Sequence, residues 1–209
     1  STNESRSFVN LSDGGHFDNL GLYELLRRRC KYIIVVDAEC DEHYGFGSLE
    51  QVVRFARVDF GVRVEIDFSQ IAPESADGRR YARSHWALGT IHYRDCQLDK
   101  GCDRGLSPFG ENEEGQLLYI KSSLLKPDKD AYITPDVVGY AQRHPSFPHE
   151  STADQFFSEA QFESYRHLGR AIGKSLVTGW DGKSIATLFK KLKKSSKTGK
   201  VARSGKASK

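Results

Sequence analysis

The stretch "NLSDGGHFDNLGLYELLRRR", residues 10–29, decides how this sequence is interpreted. Within it, Asp13 and two consecutive glycines lie between a short apolar segment and a segment with the pattern of a helix. Glycine pairs usually mark a backbone shape that a side chain would forbid. The stretch therefore predicts a tight loop that holds Asp13 in one place.

The segments around this loop predict a strand, a helix and a second strand. "SFVNL" (7–11) has the pattern of a strand, "LGLYELLRRR" (20–29) that of a helix ending in three arginines, and "YIIVVDA" (32–38) that of a buried strand. Such a unit places its two strands in parallel. Because ligands gather at the carboxyl ends of parallel strands, Asp13 is predicted to lie at that edge of the sheet.

The remaining patterns extend this unit to an α/β fold. Helices are predicted at 48–60, 134–144 and 152–179, and strands at 62–68, 85–93 and 116–124. Capping boxes, which start at Ser48 and Thr152, predict where two of the helices begin. The last two strands, separated by a polar and glycine-rich connection, are expected to form a hairpin at the sheet edge.

Composition favours one principal domain. The 209 residues, 38% of them hydrophobic, suffice for one sizeable core, and the four cysteines are too few for a disulfide scaffold. The sequence contains no methionine and begins "STNESRS", so we expect a C-terminal part of a longer protein. The longest apolar run, residues 32–36, is far shorter than the about 20 residues of a membrane span. The expected location is cytoplasmic or peripheral at a membrane.

Charge divides the chain unevenly. Between Lys190 and Lys209 the sequence has nine basic residues and no acid, so the rest carries a net charge of −6 although the whole is +3. This predicts a main domain over residues 1–179 and a basic, disordered tail over 180–209. The tail is either a solvated terminus or a contact to an anionic membrane surface, and no nucleic acid partner is expected.

Two other motifs carry weaker signals. The G-K-S sequences in "GRAIGKS" (169–175) and "GWDGKS" (179–184) lack the spaced glycine of a phosphate-binding loop. "DAECDEHYG" (37–45) gathers acids, a cysteine and a histidine after a strand, but without the paired spacing of metal ligands. A polar loop is the preferred interpretation, and a metal-dependent hydrolase remains an alternative.

Four segments together resemble the C-terminal part of patatin-like phospholipases, especially the large bacterial type related to cytosolic group IV phospholipases. They are "DGGHFDNLGLYELLRRRCKYIIVVDA", "DFGVRVEID", "LLYIKSSL" and "FPHESTADQFFSEAQFESYRHLG". The resemblance covers about residues 7–170. It implies a patatin-like α/β fold, an open mixed sheet flanked by helices, of which this chain would hold part.

The resemblance also implies a lipid acyl hydrolase with a Ser-Asp dyad. In that family the serine of a G-x-S-x-G elbow attacks an ester carbonyl, and the aspartate of the D-G-G motif accepts its proton. Asp13 matches this aspartate, while Gly14, Gly15 and Asn19 would shape its loop. The implied substrate is a phospholipid or acylglycerol, and no cofactor or metal is implied.

The sequence departs from the family at one essential point. No G-x-S-x-G motif and no glycine-rich oxyanion loop occur in the 209 residues, so the nucleophile would lie upstream. His16, three residues from Asp13, has no role in the family pattern, and neighbours in a tight loop rarely point at one another. The alternative to an enzyme is a non-catalytic lipid- or protein-binding module, in which D-G-G is only a turn.

Overall fold

The computed structural model describes residues 13–76, 79–93, 113–151, 153 and 155–204. It is a mixed α/β fold with a four-stranded open sheet and five α-helices. The strands are β1 (Tyr32–Asp37), β2 (Arg63–Ile66), β3 (Glu74–Ala76), β4 (Arg79–Tyr81), β5 (Trp86–His92) and β6 (Glu114–Lys121). The helices are α1 (Leu22–Arg27), α2 (Gly47–Phe60), α3 (Pro135–Arg143), α4 (Glu159–Val177) and α5 (Ile185–Ser204).

The main sheet has the strand order β1-β6-β5-β2. β1 and β6 are parallel, whereas β6–β5 and β5–β2 are antiparallel, and β3 and β4 form a separate small sheet. The expected hairpin of β5 and β6 exists, but its predicted position at the sheet edge is wrong because β6 also pairs with β1. The strand predicted at 7–11 and most of the polar connection lie outside the described residues.

Helices cover both faces of the sheet. One core joins the sheet to α1 and α2 through side chains such as Leu26, Ile33 and Val52. A second core joins the other face to α3, α4 and α5 through Leu118, Leu168 and related residues. Alternate residues of β6 enter the two cores, so this strand is buried on both sides. β1 is buried on one side only, since Ile34 and Val36 stay exposed.

Both capping-box predictions are wrong. The Asp41 carboxylate accepts the backbone N–H groups of Gly45 and Phe46, and this turn leads into α2 at Gly47, so Ser48 already lies inside the helix. α4 begins only at Glu159, where the Ser158 hydroxyl caps the Gln161 N–H. The helix predicted over 152–179 therefore began too early, and Phe156, in the segment before α4, is 93% exposed.

The prediction of a disordered tail over 180–209 also needs correction. Residues Ile185–Ser204 form α5, and its first half buries Leu188, Phe189 and Leu192 in the second core. The tail was predicted from its net charge alone. That charge gives no weight to these three apolar residues, whose spacing places them on one helical face. None of the helices in the described ranges is long and apolar enough to cross a membrane.

The glycines around the second G-K-S sequence are explained by the shape of the backbone there. Gly179 and Gly182 both have positive φ, at +76° and +69°, in the turn that joins α4 to α5. A left-handed backbone favours glycine, so the local need for these residues is conformational. The first G-K-S sequence lies within α4.

Candidate functional site

Asp13 lies at the start of a single 3-10 turn, Gly14–His16. Its Oδ1 accepts the Gly15 N–H at 3.0 Å, and its carbonyl oxygen accepts the His16 N–H at 3.1 Å. The side chain is exposed. The turn therefore fixes the carboxylate by a local hydrogen bond and leaves it open to a reacting group.

The two glycines of this turn differ in what requires them. A Cβ on Gly15 would collide with the Asn19 side-chain oxygen, whereas a Cβ on Gly14 would meet no atom within 4 Å. Neither glycine has a positive φ. Close approach of Asn19, and not an unusual backbone shape, therefore explains the glycine at 15, and the described contacts give no such reason for Gly14.

Asn19 connects the Asp13 turn to the loop after β1. Its Nδ2 donates to the Glu39 carboxylate at 2.7 Å. The start of α1 is held instead by Asp18, whose two carboxylate oxygens accept the backbone N–H groups of Leu20 and Tyr23. Asp18 was not among the predicted site residues, although aspartate near a helix start is a recognised capping signal.

An aromatic contact holds the other side of the turn. The Phe17 ring stacks on Phe55 of α2, with centroids 5.3 Å apart, and meets the Tyr23 ring edge-on at 4.7 Å. Gln51 of α2 also donates to the Phe17 carbonyl oxygen. The turn is thus attached to α2 on one side and to the 38–46 loop on the other.

A buried ion pair lies at the carboxyl ends of β1 and β6. Asp37 and Lys121 are register partners in the parallel pair, and their side chains are 1% and 0% exposed. Lys121 Nζ donates to Asp37 Oδ1 at 2.9 Å, while the Tyr119 hydroxyl donates to Asp37 Oδ2. Removing one partner of such a pair leaves a buried charge uncompensated, which costs about 3–5 kcal/mol.

Lys121 also reaches the acidic loop that follows β1. Its Nζ lies 3.6 Å from Asp41 Oδ2 and 3.4 Å from the Glu39 carbonyl oxygen. Burial acts to raise the pKa of Asp41, but backbone N–H donors and the Lys121 charge outweigh it, so this pKa lies below its usual value. The ammonium group occupies the position where two of the candidate metal-binding acids converge. Within the described ranges, no group of three or more potential ligands could hold a metal ion.

His149 packs against the same loop. Its Nδ1 lies 3.4 Å from both the Asp41 N–H and the Glu39 carbonyl oxygen, and its carbonyl oxygen accepts the Cys40 thiol. The residue is 5% exposed, and Nε2 has no hydrogen-bond partner. Burial lowers the pKa of His149, so the neutral imidazole is favoured.

A serine, a histidine and an aspartate form another chain of contacts in the interior. His85 Nδ1 lies 3.1 Å from Ser123 Oγ, and His85 Nε2 lies 3.4 Å from Asp130 Oδ2. Ser123 and His85 are 0% and 1% exposed. An ester cannot reach a serine buried in this way, so we assign the chain a structural role in joining β5, β6 and the segment before α3.

The structure brings together only part of the predicted site. Asp13, Gly15 and Asn19 share one turn, and the loop after β1 lies against it. His16 Nδ1 contacts the Asp13 backbone oxygen at 3.2 Å, not its carboxylate. Lys121 was missed, although a lysine within the apolar run "LLYIKSSL", opposite an aspartate ending another apolar strand, would have indicated the ion pair.

Comparisons with protein-family models, curated proteins and solved structures found no match to this chain. We therefore infer function from the side chains and their geometry.

Proposed function

We propose that this chain supplies the aspartate of a Ser-Asp dyad in a patatin-like lipid acyl hydrolase. The observation that carries the proposal is the Asp13 turn, in which an exposed carboxylate is fixed by the Gly15 N–H beside the 38–46 loop. The nucleophilic serine belongs to a segment outside these 209 residues, because no G-x-S-x-G motif occurs in them. The substrate is a phospholipid or a related acylglycerol.

In this mechanism Asp13 acts as a general base. The serine hydroxyl transfers its proton to the carboxylate while its oxygen attacks the ester carbonyl, and the protonated Asp13 then gives this proton to the leaving oxygen, so that an alcohol departs and an acyl-serine remains. Water, deprotonated by the same carboxylate, then hydrolyses the acyl-serine and releases the fatty acid. Backbone N–H groups near the serine would stabilise the oxyanion. The task of Asp13 requires a carboxylate that is both positioned and accessible, which agrees with its hydrogen bond to the Gly15 N–H and with its exposure.

A fluorophosphonate probe, which reacts with activated serines, tests the proposal. In the native protein that contains this chain, we expect one labelled serine, located outside residues 1–209. The 209-residue chain alone should neither react nor hydrolyse nitrophenyl esters, since it lacks an elbow serine. Inhibitor-sensitive turnover by the chain alone would place the nucleophile within it, and an unreactive native protein would favour a non-catalytic binding module.

We further propose that α5 brings the enzyme to anionic membranes. Lys190, Lys193 and Lys194 are exposed, whereas Lys191 is partly buried and donates to the Leu176 carbonyl oxygen. Each basic residue near an anionic surface contributes about 1 kcal/mol, and salt screens this attraction. Because the helix is part of the core, substitution is a cleaner test than deletion.

Replacing Lys190, Lys193 and Lys194 together by Gln should weaken sedimentation with anionic vesicles at low salt. Binding to neutral vesicles and hydrolysis of a soluble short-chain ester by the native protein should not change. The matched control replaces three exposed basic residues elsewhere, Arg57, Arg143 and Arg170, by Gln. Equal loss in both variants would show that net charge, and not α5, determines binding.

A further inference from the structure

A cavity of about 380 Å³ opens beside the 38–46 loop. Its walls come from four parts of the chain: the loop itself (residues 42–44), the start of β4 (Arg79 and Arg80), Leu124 after β6, and the 145–149 segment. Pockets for small ligands usually have volumes of about 300–1,000 Å³. The cavity is therefore large enough for a small molecule.

The polar side chains in these walls are mainly hydrogen-bond donors. Arg80 Nη1 donates to the Glu42 carbonyl oxygen and lies 3.1 Å from His43 Nδ1. Since His43 Nδ1 accepts from a guanidinium group, its ring proton lies on Nε2 and is available for donation. Glu42 contributes one opposing carboxylate, so the lining carries a net charge of +1 with neutral histidines.

One of the two charged donors in the lining has no partner among the described residues. Arg79 is half-buried, and its side chain makes no hydrogen bond or ion pair in the described part of the chain. His149 Nε2 also has no partner among the described residues, but it has almost no accessible surface and does not face the cavity. Arg79 is therefore the charged donor at this wall that remains available to an anionic ligand.

We propose that this cavity binds the phosphate group of a phosphate ester, with Arg79 and Arg80 as the charged donors. Arginine suits this task because its planar fork matches two phosphate oxygens. Leu124, Phe147 and Pro148 supply an apolar wall for the carbon part of the ester. The site does not depend on the Ser-Asp dyad, and a soluble phosphate ester and a lipid head group share the required chemistry.

Calorimetric titration of the full 209-residue chain tests the site, with inorganic phosphate and glycerol 3-phosphate as soluble probes. Vesicles of neutral lipid with and without phosphatidate provide the lipid probe. Arg79→Gln should weaken binding by about ten- to a hundredfold, the effect of losing a charged hydrogen bond. Arg170→Gln, an exposed substitution on α4, is the matched control and should bind like the parent chain.

Arg79-dependent binding of the soluble probes alone would identify a free phosphate ester as the ligand. Arg79-dependent binding of phosphatidate vesicles would identify a lipid head group. Absence of binding to every probe, or equal weakening by Arg79→Gln and Arg170→Gln, would overturn the proposal. Arg80→Gln provides a second variant, and parental affinity in both it and Arg79→Gln would also refute the site.

Discussion

Asp13 and Asn19 both lie against Gly15. The Asp13 carboxylate accepts the Gly15 N–H, and the Asn19 side-chain oxygen lies where a Cβ on Gly15 would be. Asn19 donates to Glu39 while its side-chain oxygen lies close to Gly15, so a side chain at position 15 would have to displace the Asn19 amide. Position 14 has no such restriction. At the residue scale, the geometry of the candidate base is therefore set by Gly15 and Asn19 more than by Gly14.

This difference predicts unequal effects of two matched substitutions. Gly15→Ala should displace the Asn19 amide and lower the free energy of unfolding by about 0.5–1.5 kcal/mol, the usual contribution of a hydrogen bond such as the one from Asn19 to Glu39. Gly14→Ala should change it little. Chemical denaturation measures both, and Gly15→Ala combined with Asn19→Ala should recover part of the loss. Equal destabilisation by the two single substitutions would show that Asn19 does not restrict the turn.

At the scale of elements, prediction succeeded where apolar periodicity was strong. The segments "YIIVVDA" and "HWALGTIHY" have strand character throughout and form β1 and β5. The start of α2 does not follow its capping box because the carboxylate of Asp41, six residues before the helix, fixes the preceding turn. Helix α5 was missed because its lysines dominate the composition, although three spaced apolar residues anchor it.

The anchoring of α5 predicts a large effect of one substitution. Phe189 is 1% exposed and its ring lies 5.0 Å from that of Tyr32. Phe189→Ala should lower the free energy of unfolding by about 3–5 kcal/mol, since it removes buried contacts and leaves a cavity. Ile185→Ala, at a largely exposed position of the same helix, is the control. Similar denaturation midpoints for the two variants would show that Phe189 does not anchor α5 in the core.

At the scale of the whole molecule, the sequence predicted an α/β fold but not the polar interactions between its segments. Lys121, His149 and Asp41 come from separate parts of the chain, and their contacts depend on the order of the strands. Sequence patterns describe local segments, so they could place Asp13 in a turn but could not show that Asn19 binds Glu39. The residues of the candidate site could therefore be predicted from their motif, but the contacts between them could not.

These buried groups predict how stability depends on pH. Burial lowers the pKa of His149 in the folded state, so the unfolded chain binds more protons below the ordinary histidine pKa of about 6.5. The free energy of unfolding should therefore fall as the pH decreases from about 7.5 to 5.5. His149→Gln should make this dependence shallower, as measured by denaturant titration. An unchanged slope would exclude His149 as the source.

The most direct test of the Ser-Asp proposal is the turnover of a soluble nitrophenyl ester by the native protein with Asp13→Asn. Asparagine keeps the shape of the side chain but cannot accept the serine proton. We predict that kcat falls by about 10²- to 10⁴-fold, the contribution of a general base, while the unfolding midpoint stays the same. His16→Ala, made in the same turn, should lose much less. Parental turnover in Asp13→Asn, or a larger loss in His16→Ala, would contradict the proposal.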